Sequence, residues 1–374
     1  MRIEVLIYCY GAICVSMILF NCICIFAFKS SERRLNKRSR RFDRTLERQL
    51  EHIRQGEPVE EKHQLYLNKK LTRVGRLMAF DESLSKLTRE DGVLAEQYLV
   101  QIRPVFIHLS MVYLKKETMQ TAYFAYLLSK YKVCRQMPFD AILDVLKEYL
   151  KKDSLYCRQN TMKALYSFGC EEVVVEAVML LDKRDVFYHD KILSDGLLTF
   201  EGDHQRLIAL FWEAFDDFSV ETKVTLLNYI RFKSGDYQER VLAILLDETQ
   251  DSELHFAAIR YFGRYPSQTA RPLLIRFVTD TDPLRWNYAA FAATALAGYP
   301  GSDTVEALKT ALGNGNWYVR YNAALSLDAL GVNYSQVVDI MNGNDRYARE
   351  MIMYRLESRK LKGHEAQERA VSRP

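Results

Sequence analysis

The feature that most constrains the fold of this chain is a polar, helix-capping residue that recurs about every 32 residues. The intervals between successive capping residues are 32, 34, 32, 31, 32 and 31. Each one opens a segment with helical apolar spacing, and another short amphipathic segment lies before it. A unit of two short helices cannot bury its apolar face alone, so the pattern predicts a helical solenoid of stacked units. The seven capping residues are Asp153, Asp185, Ser219, Asp251, Asp282, Asn314 and Asp345.

One segment, from Asn316 to Gly331, shows the pattern of a unit most completely. Its Asn can cap a helix by accepting from a free backbone N–H, and its closing Gly suits the left-handed residue that ends a helix. The apolar residues between them are spaced by four, four and three positions and form one helical stripe. They are Val319, Ala323, Leu327 and Leu330. Small residues such as Ala323 and Ala324 would let a neighbouring helix approach closely.

The residues Asn316-Trp-Tyr-Val-Arg-Tyr-Asn-Ala-Ala-Leu-Ser-Leu resemble the pattern Asp-x-x-Val-Arg-x-x-Ala-Ala-x-x-Leu of the HEAT-repeat family, particularly its short bacterial form. The resemblance covers about residues 117–357 and implies a helical-hairpin solenoid, but it says little about function. The whole chain also resembles single-span, membrane-anchored HEAT-repeat proteins of Gram-positive bacteria. That group tends to accompany membrane glycosyltransferases, which implies an accessory role in envelope polysaccharide synthesis.

The N-terminus differs in kind from the repeats. Residues 5–28 form a run of 24 residues without a charge, which as a helix exceeds the roughly 30 Å of a membrane's hydrocarbon core. A cleaved signal peptide is the alternative, but it would have a basic start and a shorter apolar run. Here Arg2 is offset by Glu4. We therefore expect an uncleaved transmembrane anchor.

The segment after this run is strongly basic. Residues 29–54 contain ten Lys or Arg against four acidic residues. Positive charge beside a span stays in the cytoplasm, so we expect a single-pass protein of the cell membrane with its N-terminus outside and the solenoid cytoplasmic. The same cations are expected to meet anionic lipid headgroups. The candidate membrane-surface residues are Lys29, Arg33, Arg34, Lys37, Arg38, Arg40, Arg41, Arg44 and Arg48.

The net charge and the sequence motifs limit the functions that we expect of this chain. The basic segment has a net charge of +6 within a chain of +4, and residues 1–28 are neutral, so residues 55–374 carry about −2. This disfavours nucleic acid as a partner. The seven histidines include no pair three or four positions apart, and no nucleotide-binding, metal-binding or nucleophile motif is present. We therefore expect no metal, no cofactor, no small-molecule substrate and no enzymatic activity.

One stripe of residues exceeds what a purely structural repeat requires. The repeat position of Arg320 is basic or titratable in six of seven units, and in HEAT-like arrays it commonly bonds the Asp of the turn. The alternative is a stripe that faces a ligand. Trp286 and Trp317 lie 31 positions apart beside it, where they either bind a partner or fill the groove between helices. The candidate partner-binding residues are Arg158, His189, Lys223, His255, Trp286, Trp317, Tyr318, Arg320, Tyr321 and Arg349, with Ala289 in the remaining unit.

The sequence thus predicts an all-α protein with an N-terminal transmembrane helix followed by a HEAT-like α-solenoid. We expect an anchor at 1–28, a basic juxtamembrane helix and linker at 29–60, an N-terminal helical cap at 61–116, the solenoid at 117–359 and a disordered tail at 360–374. The expected function is a membrane-tethered scaffold or adaptor for a membrane-associated protein partner. The alternative is a modifying enzyme of the HEAT type, similar to bilin lyases, with a cleft that no motif reveals.

Overall fold

The computed structural model describes residues 3–135, 137, 140–183 and 189–371. Within these ranges the regular structure is helical throughout and contains no β-strand, which confirms the predicted all-α class. The chain divides into two compact units. The first consists of Met1–Leu181 with Thr199–Asp203, and the second of Asp182–Leu198 with His204–Pro374.

The first unit begins with a single long helix and continues with shorter ones. Its helices are α1 (Ile3–Arg54), α2 (Glu61–Lys70), α3 (Val74–Glu90), α4 (Gly92–Gln101), α5 (Arg103–Leu114), α6 (Thr118–Lys130), α7 (Ala141–Leu150), α8 (Leu155–Phe168) and α9 (Glu171–Lys183), which ends just beyond the unit. Helices α5 and α7 pack together, as do α6 and α8.

The second unit repeats a two-helix pattern. Its helices are α10 (Asp190–Leu198), α11 (His204–Glu213), α12 (Val220–Lys233), α13 (Gln238–Leu246), α14 (Ser252–Arg264), α15 (Arg271–Val278), α16 (Trp286–Ala295), α17 (Ser302–Ala311), α18 (Trp317–Ala329), α19 (Val338–Met341) and α20 (Arg346–Val371). From α10 to α20 each even-numbered helix packs on the next even-numbered one. Each of these is the second helix of a two-helix repeat, and we call them the second helices. This stacking confirms the helical repeat.

Capping residues begin the second helices as the sequence indicates. The Asn316 side chain accepts from the Tyr318 backbone N–H at 2.8 Å, and Gly331 has the left-handed φ of +75° at the helix end. The first cap is displaced by one residue, to Ser154, and Asp185 lies outside the described residues. Caps are found as predicted at Ser219, Asp251 and Asp345. Asp282 caps the 3-10 turn that precedes α16, and the cap of α18 is Asn316, two residues after the predicted Asn314.

Small residues allow the second helices to approach one another closely. A Cβ atom on Gly263 of α14 would lie 3.1 Å from the Ala295 Cα of α16. Between α16 and α18, the Ser326 hydroxyl donates to the Ala293 carbonyl at 2.7 Å, and the Asn322 amide donates to the Ala290 carbonyl at 2.9 Å. Side-chain bonds to a neighbouring helix backbone require short interaxial distances, so the alanines of this interface are necessary for it.

Helix α1 joins the expected anchor and the basic segment without a break. Its 52 residues span about 78 Å. In its second half Phe42, Leu46 and Leu50 are buried, and the helix packs there on α3 and α4. The Ser39 and Ser83 hydroxyls add a buried hydrogen bond of 3.1 Å to this contact. The apolar residues Phe42, Leu46 and Leu50 of the basic segment are therefore covered by the protein itself.

The C-terminal segment differs from the expected disordered tail at 360–374. Helix α20 continues to Val371, and residues 372–374 lie outside the described part. The physical reason is composition, since Leu, Lys, Glu, Gln, Ala and Arg are strong helix formers even where no core is available.

Candidate functional site

The three arginines of the predicted stripe bind the turn before their own helix. The guanidinium of Arg158 donates to the Lys152 carbonyl at 3.0 Å, and that of Arg349 donates to the Gly343 carbonyl at 2.9 Å. Arg320 donates to the carbonyls of Asn314 and, at 3.2 Å, Gly315. The acceptor is thus a backbone carbonyl six residues upstream, where an Asp carboxylate was expected. A guanidinium suits this place because its N–H groups can satisfy several carbonyls of a tight turn at once.

His255 occupies the same repeat position and uses both ring nitrogens. Its Nε2 lies 3.0 Å from the Asp247 carbonyl, which can only accept, so Nε2 carries the proton. Its Nδ1 then accepts from the Tyr288 hydroxyl at 2.9 Å. The imidazole is buried. Its two bonds hold α14 to the preceding turn and to α16.

The remaining members of the stripe have other surroundings. The Lys223 ammonium lies 5.7 Å from the centre of the Phe215 ring. His189 is exposed and precedes α10, where its Nδ1 accepts from the Lys191 backbone N–H at 3.2 Å. Ala289 is fully buried. Arg158 lies in the first unit and the other members lie in the second.

The predicted aromatic residues do meet, and they form one exposed surface on the second unit. The rings of Trp286 and Tyr318 stack at 5.7 Å, and those of Trp317 and Tyr321 stack at 4.8 Å. Trp317 is 54% exposed and Tyr318 is 57% exposed. These two rings therefore do not fill the groove between helices, whereas Trp286 and Tyr321 are half-buried.

Helix α20 extends this surface with residues that the sequence analysis missed. The Arg355 guanidinium lies 4.6 Å from the Tyr321 ring centre and 5.6 Å from that of Tyr354. Arg320 lies 5.1 Å from the ring centre of Tyr347. Both additional tyrosines are exposed. The two tyrosines are seven residues apart along α20, about two helical turns, and this spacing in the sequence indicates that they lie on one helix face. We call Trp286, Trp317, Tyr318, Tyr321, Tyr347, Tyr354, Arg320 and Arg355 the aromatic surface.

A second arrangement missed by sequence reasoning lies in the first unit. The Asp81 carboxylate on α3 accepts from Lys130 at 2.7 Å, from the Tyr131 hydroxyl at 2.6 Å and from the Tyr123 hydroxyl at 2.9 Å. Lys130 also donates to the Ser85 hydroxyl at 2.6 Å. Burial, reinforced by Asp81, raises the pKa of both tyrosines. Both phenols therefore stay protonated, and the cluster ties α3 to α6 and its C-terminal turn.

The predicted membrane-surface cations all lie on the exposed side of α1. Lys29, Arg33, Arg34, Lys37, Arg38, Arg40, Arg41, Arg44 and Arg48 are each exposed. Arg38 donates to the Gly75 carbonyl at 3.3 Å. Within the described part of the chain none of the nine forms an ion pair, so their charges are open to an external anion.

The N-terminal half of α1 is long and apolar enough to cross a membrane, with a mean hydropathy of 2.4 in its most apolar window. None of that window is buried inside the protein. Among the described residues, no group of three or more His, Cys, Asp or Glu is arranged to hold a metal ion.

Comparison with known proteins shows a distant structural likeness to a solved enzyme. No family model and no curated protein sequence matches the chain. The solved structure of human deoxyhypusine hydroxylase in complex with glycerol is similar at 17% sequence identity and a TM-score of 0.27. The match covers 79% of this chain and 96% of that chain.

This likeness corrects one expectation. No enzymatic activity was expected for this chain, and a modifying enzyme was the alternative, but the protein it resembles is a HEAT-repeat enzyme. At this level of similarity no reaction and no catalytic residue is transferred. The chain is an all-α helical-repeat protein that begins with a helix able to span a membrane.

Proposed function

We propose that this chain is a membrane-tethered helical-repeat scaffold that binds a protein partner through the aromatic surface. The observation that carries the proposal is the exposure of Trp317 and Tyr318, at 54% and 57%, in a cluster that also contains arginines. Exposed Trp, Tyr and Arg side chains in contact with one another have the composition of binding hot spots. Rings that stack on each other are also ordered before binding, which lowers the entropic cost of association.

The membrane part of the proposal rests on α1. An apolar helix of a soluble core would be buried, but the apolar window of α1 is fully exposed. The cations that follow it support an N-terminus outside the cell and repeats in the cytoplasm. Because α1 continues unbroken into the part that packs on α3, the first unit would be held close to the inner membrane surface. The resemblance to single-span HEAT proteins suggests a membrane glycosyltransferase as the partner.

The proposal can be tested by crosslinking in intact membranes. A photoreactive phenylalanine in place of Tyr318 is expected to capture one membrane protein. In the same protein Trp317→Ala should reduce capture by roughly tenfold or more, since hot-spot truncations cost about 2 kcal/mol or more. The melting temperature should change little, because Trp317 is more than half exposed.

Tyr156 provides the matched control, because it is an equally exposed tyrosine at 65% on helix α8 of the first unit. The photoreactive residue at position 156 should capture no such protein. Equal capture from both positions, or unchanged capture in the folded Trp317→Ala variant, would show that the aromatic surface is not the binding surface.

A modifying enzyme is the second candidate, and the Asp81 cluster favours it. A hydroxyl, an ammonium and a carboxylate meet at Ser85, Lys130 and Asp81. Lys130 and Tyr131 also line a cavity of about 470 Å³. Serine and lysine form catalytic pairs in some hydrolases. Lys130 is paired with Asp81 and donates to the serine oxygen, so it would have to leave this pair and lose a proton before it could take the serine proton.

A fluorophosphonate probe tests this candidate directly, because it labels only activated serines. Labelling of Ser85 that disappears in Ser85→Ala would establish a nucleophile. Absence of labelling, together with a lower melting temperature for Lys130→Met, would assign the cluster to stability alone.

A further inference from the structure

The second unit contains a groove lined by three arginines and two phenylalanines. The groove has a volume of about 620 Å³. Arg231 and Phe232 come from α12, Arg260 and Arg264 from α14, and Phe291 from α16. Asn322 of α18 closes one side. The members of this arginine groove thus come from four successive second helices.

These arginines lack the carboxylates that usually neutralise such a cluster. In the part of the chain that the structure describes, none of Arg231, Arg260 and Arg264 forms an ion pair. The Nε atoms of Arg231 and Arg260 are buried and make no hydrogen bond. Burial lowers the pKa of Arg231, and the neighbouring charges of Arg260 and Arg264 lower it further. Burial also lowers the pKa of Arg260, against a smaller opposite effect of Glu253.

Aromatic rings fix the orientation of the guanidinium groups. Arg231 and Arg264 lie 4.9 and 5.4 Å from the centre of the Phe232 ring. Arg260 lies 5.0 Å from the centre of the Phe291 ring. A guanidinium whose face is covered by a ring still has the N–H groups along its edge free, and these bind oxyanions in two parallel hydrogen bonds.

We propose that the arginine groove binds a small organic phosphate. Three clustered positive charges match a phosphate group, which carries nearly two negative charges and three acceptor oxygens. A single carboxylate would leave most of the positive charge uncompensated. The volume lies in the range of about 300–1,000 Å³ found for small-molecule sites, which are mostly apolar with a few placed polar groups. The half-exposed Phe232 and the Phe291 ring would contact the organic part of the ligand.

Calorimetry on the full chain in phosphatidylcholine nanodiscs tests the proposal, with ADP and inorganic pyrophosphate as probes and adenosine as the phosphate-free comparison. ADP is expected to bind at one site, pyrophosphate more weakly, and adenosine not measurably. The Arg231→Gln, Arg260→Gln double variant should weaken ADP binding at least tenfold, which corresponds to about 1.4 kcal/mol. If the double variant does not fold, Arg264→Gln alone, at an exposed position, should weaken binding several-fold.

Arg276→Gln is the matched control. Arg276 is exposed, lies 5.7 Å from the Phe277 ring centre in the same unit and is outside the groove, so Arg276→Gln removes one positive charge, as Arg264→Gln does, without touching the site. If Arg276→Gln weakened ADP binding as much as Arg264→Gln does, the effect would be one of net charge, and the proposal would be overturned. Unchanged ADP binding in the folded double variant would also overturn it. If a hexaglutamate peptide bound more tightly than ADP, the ligand of the groove would be an acidic protein segment and not a small phosphate, and the proposal would be overturned.

Discussion

His63 shows how one buried residue couples folding to pH. Its Nε2 lies 2.7 Å from the hydroxyl of the fully buried Tyr98. The hydroxyl of Tyr98, whose pKa burial raises, stays protonated and donates to the neutral imidazole. Burial lowers the pKa of His63 from 6.5 to about 4, although Glu60 opposes the shift.

The stability of the first unit should therefore fall in mild acid. Between pH 6.5 and about 4 the unfolded chain binds a proton that the folded chain does not. The free energy of unfolding then drops by up to about 1.4 kcal/mol per pH unit, and above pH 6.5 the contribution is fully retained. His63→Gln keeps an acceptor for Tyr98 but cannot titrate, so its denaturation midpoint should depend less on pH across this range. The denaturation midpoint of His108→Gln, at an exposed position, should depend on pH as that of the unmodified protein does. The same pH dependence in His63→Gln would show that His63 does not couple folding to pH.

Arg320 carries the second prediction at the residue scale. Because its guanidinium satisfies two turn carbonyls, Arg320→Ala should lower the free energy of unfolding by about 1–2 kcal/mol. Arg346→Ala is the control, since Arg346 is 76% exposed and is paired with Glu350 on its own helix, a contact between exposed side chains that adds little to stability. Chemical denaturation measures both. Equal effects of the two substitutions would show that the turn contacts of Arg320 add nothing to stability.

Within each compact unit, neighbouring helix pairs are joined by the close approach of their backbones and by buried tyrosines. The Tyr299 hydroxyl donates to the Phe262 carbonyl at 3.0 Å and accepts from the Ser267 N–H at 3.0 Å. In the first unit Tyr149 donates to the Ser110 carbonyl at 2.6 Å, and Tyr113 donates to that of Leu71 at 2.8 Å. Each bond joins residues more than 30 positions apart. The hydroxyls thus satisfy buried backbone groups between neighbouring helix pairs.

Overpacking of the α18 core should be costly for the same reason. Ala324 is fully buried, so Ala324→Leu should lower the free energy of unfolding by about 1–3 kcal/mol. Ala329→Leu inserts the same side chain at an exposed position of the same helix and should be nearly neutral. The difference in denaturation midpoint measures the effect. An unchanged midpoint for Ala324→Leu would mean that this repeat has been assigned the wrong register.

At the scale of the whole molecule, α1 leads to a prediction about topology. Because exposed cations follow the apolar run, a reporter fused after Pro374 should be active only in the cytoplasm. Protease added outside intact cells should leave residues 55–374 uncut and should digest them after the membrane is permeabilised. Immunoblotting distinguishes the outcomes. Digestion of the repeats in intact cells would reverse the proposed orientation.

The helical class, the two-helix period and most of the caps could be predicted from the sequence. These are local properties, since apolar spacing and residues such as Asn316 and Gly331 act within one helix and its adjoining turn. Spacing also located Trp286 and Trp317, because one repeat period places them in equivalent positions.

Which side chains meet depends on the packing of the helices and does not follow from the spacing of residues along the chain. Arg231, Arg260 and Arg264 come from two helices and share one groove, while Asp81 and Lys130 lie 49 positions apart. Such contacts depend on how far one helix is displaced and rotated against the next, which no period in the sequence specifies. The acceptor of Arg320 was likewise decided by the path of the turn, which brings carbonyls nearer to the guanidinium than any carboxylate. The exposed rings of Trp317 and Tyr318 follow from the same packing, because α18 turns Ala323 and Ala324 toward its neighbours and leaves these two rings, at its first turn, in solvent.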